Sequence, residues 1–591
     1  SATTALPPDT ALCANCRREL LDPADRRYRH PFITCTDCGP RFTITESLPY
    51  DRPRTTMSDF EMCPQCAAEY HDPADRRFHA QPVACLDCGP VLSYQGARPT
   101  AERESALANA MLDLAAGLTV AIKGLGGFHL ACDPRDPQAV SRLRERKQRG
   151  DKPFAVMVRD LAAARELAFL SPEEEAALAS PQSPIVLVKP RPAAAELAAL
   201  VAPGNGRIGL MLPPTALHVL LLSAHPELEL APLDAVVLTS GNLSDEPICI
   251  DNTEAVSRLS QIADSFLMHN RRIHLPCDDS VVRVVTAADG TKLQPVRRSR
   301  GFAPTPLGLP FAVKPTLAVG GEIKTTLCVA EGERAWLSQH IGDTGDLMTM
   351  SLLAKVADLL TQLQRVRPER YVADLHPGYL SRRWASEQAQ ANGAELVLVQ
   401  HHHAHVAALL AEHQVPDGEP VLGVAFDGTG YGLDGSIWGG ELLLGSYGHV
   451  ERVGSLAPIL LPGGDAAVKR PARIALAHLQ AAGVVWDPKL PPVAACGDTE
   501  LNVVRKLLES GTSCVPTTSA GRLFDGVSAL AGVAQDAEYE GQAAIELESL
   551  AEGASGAPTY DFELRESDRL LIDPAPAVAA VARDVLAGVD A

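Results

Sequence analysis

Short apolar runs ending in a polar residue or glycine alternate along this chain with stretches of helical periodicity. Thr119-Val-Ala-Ile-Lys123, Ala155-Val-Met-Val158, Pro184-Ile-Val-Leu-Val188, Arg207-Ile-Gly-Leu-Met-Leu-Pro213 and Val236-Val-Leu-Thr-Ser-Gly-Asn-Leu243 read as buried strands. Glu395-Leu-Val-Leu-Val399 and the run beginning at Val421 read the same way. Helical patterns cover Ala106 to Ala116, Val406 to His413 and Ala577 to Ala587. Interleaved strands and helices predict α/β units. Leu317 to Leu327 reads as strand, glycine turn, strand, and Pro304-Thr-Pro-Leu-Gly-Leu-Pro310 before it reads as a Pro-rich connector. The pattern thus divides residues 103–305 from residues 312–591.

Residues 10–97 follow a different rule. Eight of the fourteen cysteines lie here as four Cys-x-x-Cys pairs: Cys13/Cys16, Cys35/Cys38, Cys63/Cys66 and Cys85/Cys88. The spacing is a 50-residue repeat, in which Asp22-Pro-Ala-Asp-Arg-Arg27 returns as Asp72-Pro-Ala-Asp-Arg-Arg77. Each repeat holds two pairs separated by 18 residues, which suits one closed tetrahedral zinc site. Segments this short have too little apolar content for a core, so metal would supply much of the folding energy. Pairing within each repeat is the expectation, and pairing across repeats is the alternative. Four thiolates leave no open position, so two structural zinc ions are expected.

Chemistry concentrates again at Gln400-His-His-His-Ala-His405, directly after a strand run. A helix starting near His401 puts His401 and His405 on one face, where two imidazoles can grip one divalent metal. A polar helix start is the plain alternative. Further on, Asp427-Gly-Thr-Gly430 follows a buried strand. A glycine turn there would let backbone amides approach phosphates and place an acid near the metal, although Asp-Gly signals a hairpin equally well. In residues 103–305, Lys, Arg, Ser and Asn at strand ends could converge on a phosphate and a carbonyl.

Charge narrows the partners. The formal net charge of −20 argues against wrapping a long nucleic acid, though not against a local basic pocket for a nucleotide. No apolar run approaches the ~20 residues of a membrane span, and the start at Ser1 has neither a charged nor an apolar leader region. A cytoplasmic protein is expected, whose cysteines are metal ligands or free thiols before disulfides.

Together these residues resemble the HypF carbamoyltransferases of nickel–iron hydrogenase maturation. The eight-cysteine pattern, with intervals of 18, 24 and 18 residues, looks like that family's double zinc finger. Residues 105–305 look like the YrdC-type domain, with Lys147-x-Arg149 and Ser240-x-Asn242 matching its nucleotide and acyl-phosphate motifs. Residues 315–591 are similar to an actin-like transfer domain, whose metal-holding His-x-x-x-His maps onto His401 and His405. The resemblance implies a multidomain α/β (α+β) protein: a zinc-finger module, a YrdC-like α/β domain and a duplicated actin-like α/β domain. It implies catalytic roles for Lys147, Arg149, His401 and His405. Cofactor binding falls to Lys123, His129, Lys152, Ser240, Asn242, Arg300, Asp427, Gly428 and Gly430.

By the same resemblance, carbamoyl phosphate and ATP with Mg2+ yield carbamoyl-adenylate. The carbamoyl group then passes to the C-terminal cysteine of HypE beside a divalent metal (Fe, Zn or Mg). Two other classes stay open: an O-carbamoyltransferase acting on a small-molecule hydroxyl, disfavoured by the zinc repeats, and a zinc protein related to tRNA modification, disfavoured because no aromatic–basic stripe marks the repeats. The family's N-terminal acylphosphatase domain and its C-terminal Gly-rich Asp segment find no counterpart here. A chain trimmed at both ends is therefore expected, with the third metal ligand lying past Ala591.

Overall fold

The computed structural model describes residues 6–243, 246–288, 290–552, 554 and 559–589. The opening residues 1–5, read above for a leader, and the final residues 590–591 lie outside that set.

The two cysteine repeats fold alike because their sequences carry the same local devices. Helices Ala14–Leu21 and Pro64–His71 each start from a cysteine N-cap, Cys13 or Cys63. Its sulfur accepts from the backbone N–H of the second cysteine of its pair, at 3.4 and 3.5 Å. After each helix the first Asp of the repeated hexapeptide closes a turn by accepting from an N–H two residues on, at 2.9 Å in both repeats. That turn aims the paired arginines outward, toward the other repeat.

A twelve-stranded mixed sheet dominates the next unit. Phe128–Cys132 lies between Val120–Lys123 and Ala235–Ser240, antiparallel to both, and Ala155–Val158 flanks Ala235–Ser240 on the far side. Alternation distributes side chains to two cores. Ala121, Phe128 and Leu130 enter one, while Val120, Ile122 and Ala131 enter the other. The sheet also recruits Leu92–Gly96, which pairs with Ser265–His269. That strand lies inside residues read from sequence as the zinc module, so one hydrogen-bonded edge joins the module to the sheet.

The last unit has two sheets, of four and seven strands. Its first strand, Pro306–Ala318, absorbs the segment read above as a connector. Prolines are accommodated because the ladder with Cys328–Leu337 breaks register between Gly308 and Val313 and again before Thr316. Strands Arg370–Asp374 and Glu395–Val399 run parallel beside it and deliver Asp374 and helix His401–Glu412 to the same end. The Asp427 region departs from the expected turn. Val421–Tyr431 is one strand that continues through Asp-Gly-Thr-Gly, with a register break between Phe426 and Gly430, and the hairpin falls instead at Gly432–Gly435. The glycines serve close approach: a Cβ on Gly430 would meet His402 Cε1 at 2.2 Å.

Residues 538–552 of the third unit lie against the second. Asn205 Nδ2 donates to Tyr539 Oη at 3.1 Å, Gly206 N–H to Ser549 Oγ at 2.8 Å, and Arg283 Nη1 to Glu548 Oε1 at 2.8 Å.

Candidate functional site

In the zinc module the sulfurs gather within each repeat: Cys13, Cys16, Cys35 and Cys38 form one cluster, Cys63, Cys66, Cys85 and Cys88 the other. Cys13–Cys35 and Cys35–Cys38 sulfurs stand 3.7 and 3.8 Å apart, and the corresponding pairs of the second repeat stand at 3.8 Å. Four ligands ~2.3 Å from a tetrahedral zinc are separated by about 3.8 Å, so the donor set fits that ion. Around each cluster sit arginines of the other repeat. Arg26 Nη2 donates to Cys66 Sγ at 3.3 Å and Arg76 Nη2 to Cys16 Sγ at 3.0 Å. Arg27 and Arg77 complete the exchange by pairing with Glu69 and Glu19. Sequence reading noticed the repeated arginines without assigning them this reciprocal contact, since only packing brings the repeats together.

The predicted phosphate-binding residues fall into three groups around the interior strands of the large sheet. In the first, the Lys147 ammonium is buried and donates to Ser240 O at 2.7 Å and to Asn242 O and Oδ1 at 2.6 Å each, while Ser240 Oγ donates to Asn242 Oδ1 at 2.7 Å. Burial, with Arg149 nearby, pushes the Lys147 ammonium well below the usual lysine range. Arg149 Nη2 donates to Pro153 O at 2.7 Å and its guanidinium lies over Phe154, while Lys152 closes the same loop by donating its N–H to Arg149 O. In the second group His129 and Arg300 share the carboxylate of Asp279, at 3.1 and 2.6 Å. Burial would raise the Asp279 carboxyl, but the Arg300 guanidinium outweighs it and holds the group well below the carboxylate range. Arg300 has two further donors on Gln182 O and Ser183 O, so most of its guanidinium is satisfied inside the protein. Lys123 forms the third group with Asn252 and His269.

The histidine cluster lies at the end of the four-stranded sheet. His401 Nε2 is 3.2 Å from His405 Nε2 and 3.2 Å from Asp427 Oδ2. Ligand atoms ~2.0–2.2 Å from one cation stand roughly 3 Å apart, so these three groups fit a divalent metal. Asp427, which the sequence reading set near the metal without naming it a ligand, stands as a candidate third ligand. The strand running through Asp427 lies beside the histidine helix, a tertiary relation that spacing does not reveal. Asp374 Oδ2, missed in the sequence beyond being a polar strand end, accepts from His401 Nδ1 at 2.6 Å. This fixes the tautomer and leaves Nε2 free for a ligand role. Burial pulls the His401 imidazole down, but the hydrogen bonds to Asp374 and Asp427 outweigh it and raise it to about 9. His402 is buried and reaches Asp427 Oδ2 at 3.4 Å, while His403 is held on Ser446 O at 3.0 Å.

Family models match along the chain in the same order. One described as the HypF finger covers residues 12–45 and 62–94. A "Telomere recombination" model, that of the Sua5, YciO and YrdC proteins, covers 113–299. The HypF Kae1-like domain covers 312–412, and the second subdomain of a carbamoyltransferase Kae1-like domain covers 423–591. Zinc fingers, a YrdC-like sheet and a Kae1-like pair of sheets on one chain define a carbamoyltransferase.

Carbamoyltransferase HypF2 of Cupriavidus necator is 45% identical over 94% of this chain and 69% of its own length. Carbamoyltransferase HypF of Synechocystis is 44% identical over 98% of this chain and 76% of its own. A crystal structure of full-length HypF in a phosphate- and nucleotide-bound form superposes with a TM-score of 0.90, at 42% identity over 99% of this chain and 74% of that one. The chain belongs to the HypF carbamoyltransferase family. Among the described residues no helix is long and apolar enough to cross a membrane.

Proposed function

We propose that this chain forms carbamoyl-adenylate from ATP and a carbamoyl group supplied by carbamoyl phosphate, and passes that group to the C-terminal cysteine thiol of HypE. Carbamoyl phosphate is first hydrolysed to carbamate and inorganic phosphate. In the first step on ATP an oxygen of that carbamate attacks the α-phosphorus and pyrophosphate leaves. Lys147, Arg149 and Lys152 offer the positive charge that such a phosphorus centre and its leaving group require. Lys147 is pinned by Ser240 and Asn242, so its ammonium is oriented before substrate arrives. In the second step a thiolate attacks the carbamoyl carbon and AMP leaves. His401, His405 and Asp427 would hold a divalent metal, which when bound supplies positive charge beside the nucleotide phosphate. Asp374 orients His401, and Gly428 and Gly430 keep the strand close to the helix. Mg2+ would accompany ATP, and the two zinc ions are structural.

The observation that carries this reading is the junction between the two units. Glu538 of the unit bearing His401 lies on the loop bearing Lys147 and Arg149, and the segment after it lies on residues 204–207 and Arg283. Carbamoyl-adenylate hydrolyses readily, so a transfer confined within one chain makes physical sense. Incubating the protein with ATP and carbamoyl phosphate and identifying the bound nucleotide by mass spectrometry tests the first step. Carbamoyl-AMP is expected; unmodified ATP and ADP alone would overturn the reading. The related full-length HypF structure holds a nucleotide and phosphate, which supports a nucleotide as a substrate here.

A further inference from the structure

At the seam between the first zinc repeat and the central sheet, a buried arginine, Arg271, leaves its Nε without an acceptor among the described residues. It is 5% exposed. Its guanidinium is covered by Phe32 of the zinc module, 5.5 Å from the ring centroid. Lys123, 4% exposed, and His269 line the same cavity. The Lys123 ammonium spends two protons on neutral acceptors, Asn252 Oδ1 at 2.7 Å and His269 O at 3.2 Å. His269 Nδ1 is also buried without a partner. The acid whose field reaches Arg271 is Asp9, which makes no ion pair with it and whose Oδ1 accepts from the backbone of Arg41 and from Thr43.

Two cations buried together with no carboxylate in an ion pair with either are costly, because burial strips their hydration and their mutual repulsion is poorly screened. Burial pushes Arg271 down to about 10 and, with Arg271 beside it, Lys123 down to about 8, in spite of the opposing fields of Asp9 and Asp251. A bound anion removes that cost. The cavity measures about 30 Å3. One water needs roughly 10–15 Å3 by this measure, so the space holds two or three water-sized groups, the scale of a small oxyanion's oxygens, and is too small for a nucleotide.

We infer that this cavity is a binding site for a small oxyanion of the carboxylate or phosphate class, held by Arg271 and Lys123 beneath the Phe32 lid of the first zinc repeat. The site goes beyond the carbamoyl-transfer reading, and its failure would leave the mass-spectrometric test above unaffected.

Titration of the zinc-loaded full chain with inorganic phosphate and, separately, with bicarbonate tests it, with chloride at equal ionic strength as the control. Calorimetry and thermal unfolding both read the result. Saturable binding of at least one probe is expected, weakened tenfold or more in Arg271→Gln and in Lys123→Gln and retained in Lys147→Gln. Phosphate alone, or bicarbonate alone, identifies which anion the site takes. Should Arg271→Gln fail to fold, Lys123→Gln decides. Absence of saturable binding in the unmodified chain, or binding undiminished in the folded variants, would overturn the inference.

Discussion

Arg76 of the second cysteine repeat donates to the sulfur of Cys16 in the first, at 3.0 Å, and also pairs with Glu19 at 2.8 Å. Arg26 returns the contact to Cys66 and Glu69. A four-thiolate zinc site carries net negative charge, and each repeat neutralises the other's site rather than its own. The two sites are therefore coupled through the fold. Cys63→Ser in the full chain is expected to lose zinc from the second repeat and to speed its release to a chelator from the first. Arg76→Ala should lower affinity at the first site by about tenfold, the usual scale for removing an outer partner of a metal ligand. Elemental analysis and zinc-release kinetics read both. Independent release of the two ions would show that the reciprocal arginines do not couple the sites.

Lys147 and Arg149 share a loop whose geometry is unusual, since Gln148 and Gly150 both take left-handed backbone angles. Neutralising either cation should slow carbamoyl-phosphate-dependent exchange of pyrophosphate into ATP by about a hundredfold, equivalent to ~3 kcal/mol for a contact in a water-excluded site. Far-ultraviolet dichroism should be unchanged. Exchange at the original rate in Arg149→Ala would remove this loop from the adenylation site.

That loop is braced from the other unit. Glu538 Oε2 accepts from the Asp151 N–H at 2.9 Å, and a Cβ on Gly150 would meet the same oxygen at 2.1 Å. Glu538→Ala should raise the KM for ATP severalfold with a smaller effect on kcat, and Glu538→Gln, which keeps an acceptor oxygen, should restore it. A variant indistinguishable from the parent in KM would limit Glu538 to surface packing.

Metal binding at the histidine cluster should be proton-coupled. Asp374 and Asp427 raise His401 to about 9 despite its burial, so below that pH the imidazole holds a proton that a metal must displace. Apparent metal affinity is expected to climb by up to tenfold per pH unit and to level off near pH 9. In the metal-free chain the sign reverses. A raised folded-state value means that this group's stabilising contribution is complete below about 6.5 and fades as pH rises through about 9. Asp374→Asn should shift the affinity plateau to lower pH; a profile identical to the parent's would show that Asp374 does not set it.

His405→Ala separates the two half-reactions. It removes one candidate ligand atom while leaving Lys147, Ser240 and Asn242 untouched. Carbamoyl-adenylate should still form, with transfer to the HypE thiol reduced by at least a hundredfold. Transfer at the parental rate would reduce the histidines to a polar helix start.

Local periodicity is what the sequence by itself determined. An α-helix turns once per 3.6 residues, so His401 and His405 had to share a face, and His402 had to point elsewhere. Runs such as Val120–Lys123 and Ala155–Val158 are short, apolar and bounded, a length that favours a buried strand over a helix. A repeat that returns the same cysteine spacing and the same hexapeptide folds alike twice, which made two cysteine clusters legible at once. Tertiary structure decided everything that depends on distant segments meeting. Asp374 and Asp427 lie 27 and 26 residues from His401, on strands whose neighbours are set by sheet topology; the glycines after Asp427 hinted at a site, but nothing in the local sequence of Asp374 names the helix it faces. Asp-Gly at 427–428 signals a turn by local preference, yet sheet pairing carried the strand through it. The prolines at 306 and 310 signal a connector, yet register breaks let an edge of the sheet absorb them. Arg76 and Arg271 share one side-chain chemistry. One found a thiolate cluster and the other a cavity without an acid, because partners for a charge are supplied by packing across the chain and not by its neighbours along it.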